Sequence, residues 1–213
     1  MTVTPAEFWE DRYAGADRVW SGRPNAALVD TASLLRPGSA LDLGCGEGAD
    51  AIWLGEQGWE TLGVDISPTA VARGQAEAAR RGLASVRFEA HDLAAWNPPI
   101  AFDLVTASFL QSPVDLPRAE VLRRAAGWVV PRGHLLIVTH AAMPPWVQAR
   151  AAAGGDHGHA DHEFLTAQQE VDQLGLDPLT WTILLAEERR REAMGPDGVP
   201  AVLHDAVVLL QRF

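Results

Sequence analysis

The chain has 213 residues, 47% of them hydrophobic, and a formal net charge of −11. That length fits one domain, 1–213, burying roughly 70% of its unfolded surface, and no apolar run approaches the ~20 residues of a membrane span. So acidic a chain lacks the basic stripe that grips a nucleic-acid backbone, which leaves a small molecule as the expected partner. All 17 basic residues are arginine, and Cys45 is the single cysteine, so no internal disulfide forms. The opening MTVTPAEFWEDRY has neither the basic start nor the apolar stretch of a secretory signal, and a cytoplasmic location is expected.

Residues 5–13 predict a short helix with Pro5 in its first turn. The turn-like SGRPN (21–25) precedes a helix of about ten residues ending near Leu35, stopped by Arg36-Pro37-Gly38. Together, residues 1–36 read as N-terminal cap helices. An alternation follows, with strands at 39–43, 59–65, 85–92, 102–109 and 134–140. Helices are expected at 49–57, from Ser67-Pro68 to Gly82, and over 118–129. Such alternation predicts a mostly parallel Rossmann-like α/β sheet with helices on both faces. Residues 144–165 read as a lid, after which Thr166 and Gln169 form a capping box that starts a helix. The runs 180–191 and 204–212, split by the turn-rich MGPDGVP, predict a C-terminal antiparallel hairpin and a total of seven strands. Arg189-Arg190-Arg191 reads as a solvated strand end. The edge hairpin offers a dimer contact, so the chain is expected to be a monomer or a homodimer.

Leu41-Asp42-Leu43-Gly44-Cys45-Gly46-Glu47-Gly48 sits where a strand hands over to a helix. Glycines there allow a sharp turn and close approach of backbone to a ligand. Asp65, at the tip of the next strand, suits a ribose diol. Gly44-x-Gly46-x-x-Ala49 also satisfies the dinucleotide fingerprint, so an NAD(P)-dependent oxidoreductase is one alternative. Three features favour S-adenosylmethionine (SAM) instead. Asp42 lies two residues before the first glycine, where it meets a cationic amino group rather than a pyrophosphate. Asp92, followed by Leu93, ends the third strand beside an adenine site. The closing hairpin leaves no room for a separate substrate domain.

LDLGCGEG, VDIS (64–67), HDL (91–93), FDLVTASF and VPRGHLLIV (130–138) together resemble the ordered motifs of class I SAM-dependent methyltransferases. FWEDRY with VWSGRPN further resembles their thiopurine and tellurite-resistance type subgroup. The resemblance implies SAM as cofactor and S-adenosylhomocysteine as product. It assigns Asp42 to the methionine moiety, the backbone of Gly44, Cys45 and Gly46 to the cofactor, and Asp65 to both ribose hydroxyls. Ile66 packs on the adenine, Asp92 and Leu93 address its edge, and Ala107 and Ser108 lie beside the sulfonium. Phe8, Trp9 and Tyr13 fall near helical spacing, so the FWEDRY helix, with Trp20, reads either as core packing or as a cap over the cofactor. Arg23 reads either as a partner for the methionine carboxylate or as a solvent-facing side chain. The FLQSP continuation departs from the acidic or Asn-Pro-Pro versions of amino-methylating relatives, which argues against nucleic-acid and protein N-methylation.

His140, at the tip of the fifth strand, is the candidate general base. With no unmistakable base in the sequence, a soft or already ionised acceptor such as a thiol or a metalloid is expected. His157, His159 and His162, interleaved with Asp156, Asp161 and Glu163, carry imidazole and carboxylate chemistry that suits zinc. Their spacing matches no zinc motif, and a solvated lid is the expectation, with no metal. A noncatalytic SAM or metal sensor is the second alternative.

Overall fold

The computed structural model describes residues 3–152, 164–195 and 198–213. Helix α1 (Pro5–Ala14) starts at Thr4, whose hydroxyl accepts from the Glu7 N–H while the Glu7 carboxylate accepts from the Thr4 N–H. Asn25 caps α2 (Ala26–Ala32) with its side-chain oxygen alone, which accepts from the Ala27 and Leu28 N–H groups. This second helix ends three residues short of Leu35, its last carbonyls satisfied by the turn through Ser33, Leu34 and Leu35.

Strands β1 (Ser39–Leu43), β2 (Glu60–Asp65), β3 (Val86–Ala90), β4 (Phe102–Ser108), β5 (Val129–His140), β6 (Trp181–Met194) and β7 (Pro200–Arg212) form one seven-stranded sheet in the order β3-β2-β1-β4-β5-β7-β6. The first five run parallel, β7 pairs antiparallel with β5, and β6 antiparallel with β7. The expected hairpin is present, and its second strand is the one inserted next to β5. Helices α3 (Ala49–Glu56), α4 (Pro68–Arg80), α5 (Arg118–Gly127) and α7 (Ala167–Leu174) join the strands, with α6 (Pro145–Ala152) inside the expected lid. The rest of that lid, with His157, His159 and His162, lies outside the described residues.

Several strand ends differ from expectation. The hairpin strands extend to Met194 and from Pro200, beyond the expected 191 and 204, because they pair with each other all the way to Met194 and Pro200. Strand β5 begins at Val129, because Phe102 pairs with Val129 before an irregularity built around Arg132, at φ +68°, restores register at Leu104 and His134. Strand β3 stops at Ala90, since Asp92 folds back to accept the Ala94 N–H at 2.8 Å, a local turn that competes with the ladder.

Alternate residues of the central strands feed two cores. Leu41, Leu43, Val105, Leu135, Ile137, Val208 and Leu210 face α5 and α7. Ala40, Leu104, Leu136, Val138, Val207 and Leu209 face α2 and α3 with Trp59. Both faces covered is the condition under which parallel strands read as near-continuous apolar runs.

One ion pair joins α5 to α7. Glu170, 2% exposed, accepts from Arg118 Nη1 through both oxygens at 2.9 Å, while Arg118 Nε and Nη2 have no partner among the described residues. Removing one partner strands a buried charge; removing both leaves an apolar contact. Arg118→Met is therefore expected to lower the unfolding free energy in urea by about 3 kcal/mol. Arg118→Met combined with Glu170→Leu should recover most of that loss.

Candidate active site

The strand order reverses between β1 and β4, whose connections leave toward opposite sides of the sheet. A crevice opens at the carboxyl ends of strands at such a switch point, and ligands bind there. Chain leaving β1 turns at once: the Gly44 and Cys45 N–H groups both donate to the Val64 carbonyl, at 2.8 and 3.0 Å. Gly46 sits at φ +52°, and a Cβ there would lie 2.9 Å from Tyr13 Oη and 3.2 Å from Trp20 Nε1. Glycine is thus required for conformation and for room.

Three carboxylates crowd this edge. Asp65, at the tip of β2, accepts the Gly46 N–H on Oδ2 at 2.9 Å and the Ser67 N–H on Oδ1 at 3.0 Å. Asp50, in the first turn of α3, accepts the Asn25 N–H at 2.6 Å. Asp42 is 2% exposed, and its Oδ2 has no hydrogen-bond partner among the described residues. Burial, reinforced by Asp50 and Asp65, pushes the Asp42 carboxyl well above its ordinary value. Burial also raises Asp50 and Asp65 against the opposing backbone N–H bonds. Cys45, between them, has its thiol pushed up by burial and by Asp65, which keeps it protonated and unreactive.

Around these acids the crevice changes character. Ile66 is half-buried and Leu93 buried, and Arg124 ties down the loop of Leu93 by donating to the Ala94 carbonyl at 2.8 Å and to the Leu93 carbonyl. Asp92 is exposed beside them, and Ala107 and Ser108 close β4. An orphaned buried carboxylate oxygen, a strand-tip carboxylate with lone pairs to spare and an apolar shelf suit one kind of ligand. It has a cationic group, a vicinal diol and a flat apolar end.

The N-terminal segment is fastened over this edge. Glu10 accepts from Ser67 Oγ at 2.6 Å and from the Thr69 N–H at 3.2 Å, and these bonds hold its carboxyl below the usual range. Glu47 accepts the Val19 and Trp20 N–H groups at 3.2 and 3.1 Å and pairs with Arg73 at 3.0 Å. Arg73 also donates to the Tyr13 and Ala16 carbonyls at 3.0 and 2.6 Å. Trp9 Nε1 reaches Ser112 Oγ at 3.1 Å, and Trp20 Nε1 donates to Tyr13 Oη at 2.8 Å. Tyr13 is buried, and its hydroxyl is made less acidic by burial and by Asp65. Arg23 is exposed, and among the described residues no side-chain bond links it to the acids.

His140 lies one strand away from Ser108, half-buried, with Nδ1 3.0 Å from Asp205 Oδ1. Asp205 accepts from Arg191 Nε on Oδ2 at 2.6 Å. Burial pushes the Asp205 carboxyl up, but the bonds from His140 and Arg191 outweigh it and hold it below the usual carboxylate range. The expectation of a solvated arginine run is corrected here. Arg191 is bound to Asp205 and stands over the Phe109 ring, and Arg189 pairs with Glu187 and Asp30, because the hairpin returns β6 beside β7 and toward α2. Asp205, Arg191, Glu10, Glu47 and Arg73 escape sequence reasoning. The one available signal is Asp205 itself, a charge opening the apolar run DAVVLL. Among the described residues no group of three or more His, Cys, Asp or Glu side chains is placed to hold a metal ion, and no helix is long and apolar enough to cross a membrane.

Folding raises the Asp42 carboxyl above its ordinary 3.8, so the folded chain binds more protons than the unfolded one between those values. Its contribution is complete below pH ~3.8 and is lost as pH rises toward the folded value. Asp42→Asn is therefore expected to be more stable than the native chain without ligand. The difference, read from urea unfolding across pH, should widen as pH rises above 4.

Residues 40–133 match a methyltransferase domain family. The chain is 32% identical over 163 residues to the 2-heptyl-1-hydroxyquinolin-4(1H)-one methyltransferase of Mycobacteroides abscessus, covering 68% of this chain and 70% of the relative. Among solved structures, one from work on conversion of a disulfide bond into a thioacetal group during echinomycin biosynthesis superposes with a TM-score of 0.73. It shares 27% identity and covers 97% of this chain and 92% of its own. TehB from Haemophilus influenzae shares the fold, with a TM-score of 0.69 at 19% identity over 96% of this chain and 67% of TehB. The overlap of the glycine loop with the dinucleotide fingerprint is thereby resolved. The chain belongs to the class I SAM-dependent methyltransferases.

Proposed function

We propose that this methyltransferase acts on a small molecule whose acceptor atom is soft or readily ionised, a thiol or an acidic hydroxyl. The observation that carries the reading is the β4 tip. There Ser108 is followed by Phe109, with its ring against His140, and by Leu110, buried against Gly44. An amine acceptor is ordinarily held by carboxylate or carboxamide oxygens at such a tip. The residues after β4 supply apolar surface, and the one carboxamide among them, Gln111, has its oxygen engaged by the His140 N–H at 3.3 Å. The M. abscessus relative is named for a hydroxylated heteroaromatic and the echinomycin-related structure for sulfur chemistry, which supports the same class.

In this reading Asp42 meets the cofactor's ammonium group, directly or through water, and Asp65 accepts from both ribose hydroxyls. Gly44, Cys45 and Gly46 offer backbone, Ile66 and Leu93 sandwich the adenine with Asp92 at its edge, and Ala107 and Ser108 border the sulfonium. Helix α1 and Trp20 close over the top and exclude water. Bound SAM supplies a methyl group on a sulfonium, which the acceptor's electron pair takes as the carbon–sulfur bond breaks toward sulfur. The protein's task is to align the acceptor, keep water out and receive a proton.

Calorimetric titration should give micromolar affinity for SAM and S-adenosylhomocysteine and none for NADH. Asp65→Ala should weaken both by roughly 10²-fold, the value of two hydrogen bonds to a charged group. Mass spectrometry of reactions with thiophenol, a 1-hydroxyquinolin-4-one, an alkyl alcohol and an alkyl amine should then find methylated thiol or hydroxyquinolone. Methylation of the amine alone, or of the alcohol alone with activity lost in His140→Ala, would overturn the acceptor class.

A further inference from the structure

We infer that Asp205 and Arg191, from the C-terminal hairpin, position His140 so that its Nε2 takes the proton released by the methyl acceptor; this rests on the acceptor reading above. An ionised carboxylate only accepts hydrogen bonds. The 3.0 Å contact of Asp205 with Nδ1 therefore fixes the hydrogen on Nδ1 and leaves the lone pair on Nε2. No described residue bonds Nε2, and the His140 side chain keeps 26% exposure while Asp205 keeps 4%.

Every other contact of the ring and its partner fixes geometry. The Phe109 ring lies 4.4 Å from the imidazole, and the Phe109 backbone is held at φ +51° by its N–H donating to the Val138 carbonyl at 2.7 Å. A bulky residue in that region is a strained position that surrounding structure must enforce. Gln111 Oε1 accepts the His140 N–H at 3.3 Å, so the β4 loop is tied to the β5 tip. Arg191 grips the far side of Asp205 and stands 5.5 Å from the Phe109 centroid. Among the described residues, the charged groups in contact with this cluster are Asp205 on β7 and Arg191 on β6. Arg189, also on β6, is engaged by Glu187 and Asp30. A pair serving only to pin β6 to β7 would need Arg191 and Asp205; the histidine at the sheet's carboxyl edge is the addition. The acceptor's S–H or O–H proton passes to Nε2 and then to solvent, while its bonding pair remains on the acceptor atom that receives the methyl group.

The test pairs a spectroscopic readout with two acceptors. In full-length protein labelled with ¹⁵N-histidine, the His140 signal, identified by its loss in His140→Ala, should report the Nδ1–H tautomer. Asp205→Asn, whose amide can donate to Nδ1, should convert it to Nε2–H. Thiophenol is ionised at neutral pH and benzyl mercaptan is not, although they are of similar size. Asp205→Asn should lower kcat for benzyl mercaptan by roughly 10²-fold and for thiophenol by less than about threefold, with little change in KM. Arg191→Lys should show a weaker form of the same split, and serves if Asp205→Asn fails to fold. Equal losses on both thiols with the tautomer unchanged would make the pair structural. A native His140 in the Nε2–H form would overturn the inference with no variant at all. If neither thiol is methylated, the thiol reading fails, and the tautomer measurement still decides the positioning.

Discussion

Three carboxylates, Asp42, Asp50 and Asp65, are gathered at one end of the sheet with burial raising all three. Backbone holds two of them, the Gly46 and Ser67 N–H groups on Asp65 and the Asn25 N–H on Asp50, while Asp42 Oδ2 has no partner among the described residues. A buried anion without a cation costs stability unless it is protonated or met by a ligand of opposite charge. The glycine loop, the first turn of α3 and the entry to α2 are all arranged around that unresolved charge. In the proposed reading the cofactor's ammonium and sulfonium answer that charge, so an electrostatic cost of the fold becomes binding energy.

The N-terminal segment is attached differently from the rest of the molecule. The sheet is clamped between two apolar layers whose leucines and valines are fully buried. Helix α1 buries only Tyr13 among its described side chains and is held by Glu10, Trp9 and the Glu47–Arg73 pair. Partly exposed polar contacts are weaker than core burial, so this segment belongs to the low-stability end of the fold, from which moving elements are drawn. Its contacts fall on both sides of the switch-point crevice, Ser67 and Thr69 at the head of α4 and Ser112 after β4.

On the other side of β4 the hairpin fixes the surroundings of His140. Because β7 is inserted between β5 and β6, it lays Asp205 directly opposite His140 and brings Arg191 within reach of both Asp205 and Phe109. The acidic half of the site and this histidine half are separated by the tip of β4. Ser108 and Phe109 are thus common to both, and the strain at Phe109 lies where the two halves meet.

Most of the fold was legible along the chain, because it rests on local signals. Apolar runs of strand length, caps such as Ser67-Pro68, and stops such as Gly82 each act within a few residues. The gathering of Asp42, the glycines and Asp65 was legible for the same reason: they lie on two consecutive strand ends, so spacing alone puts them together. Where local chemistry misled, a neighbour in space had intervened. Arg191 looked solvated, and β5 looked short, until β7 and the Phe102–Val129 pairing were in place. The His140–Asp205 contact spans 65 residues, Trp9–Ser112 spans 103 and Arg73–Tyr13 spans 60. No periodicity encodes such pairs, because they depend on strand order and on which face each side chain takes. The sequence alone set the methyltransferase fold and the acidic, glycine-rich edge, because those signals are local. That His140, Asp205 and Arg191 stand together across the tip of β4 was decided by tertiary structure alone, because strand order brings them there.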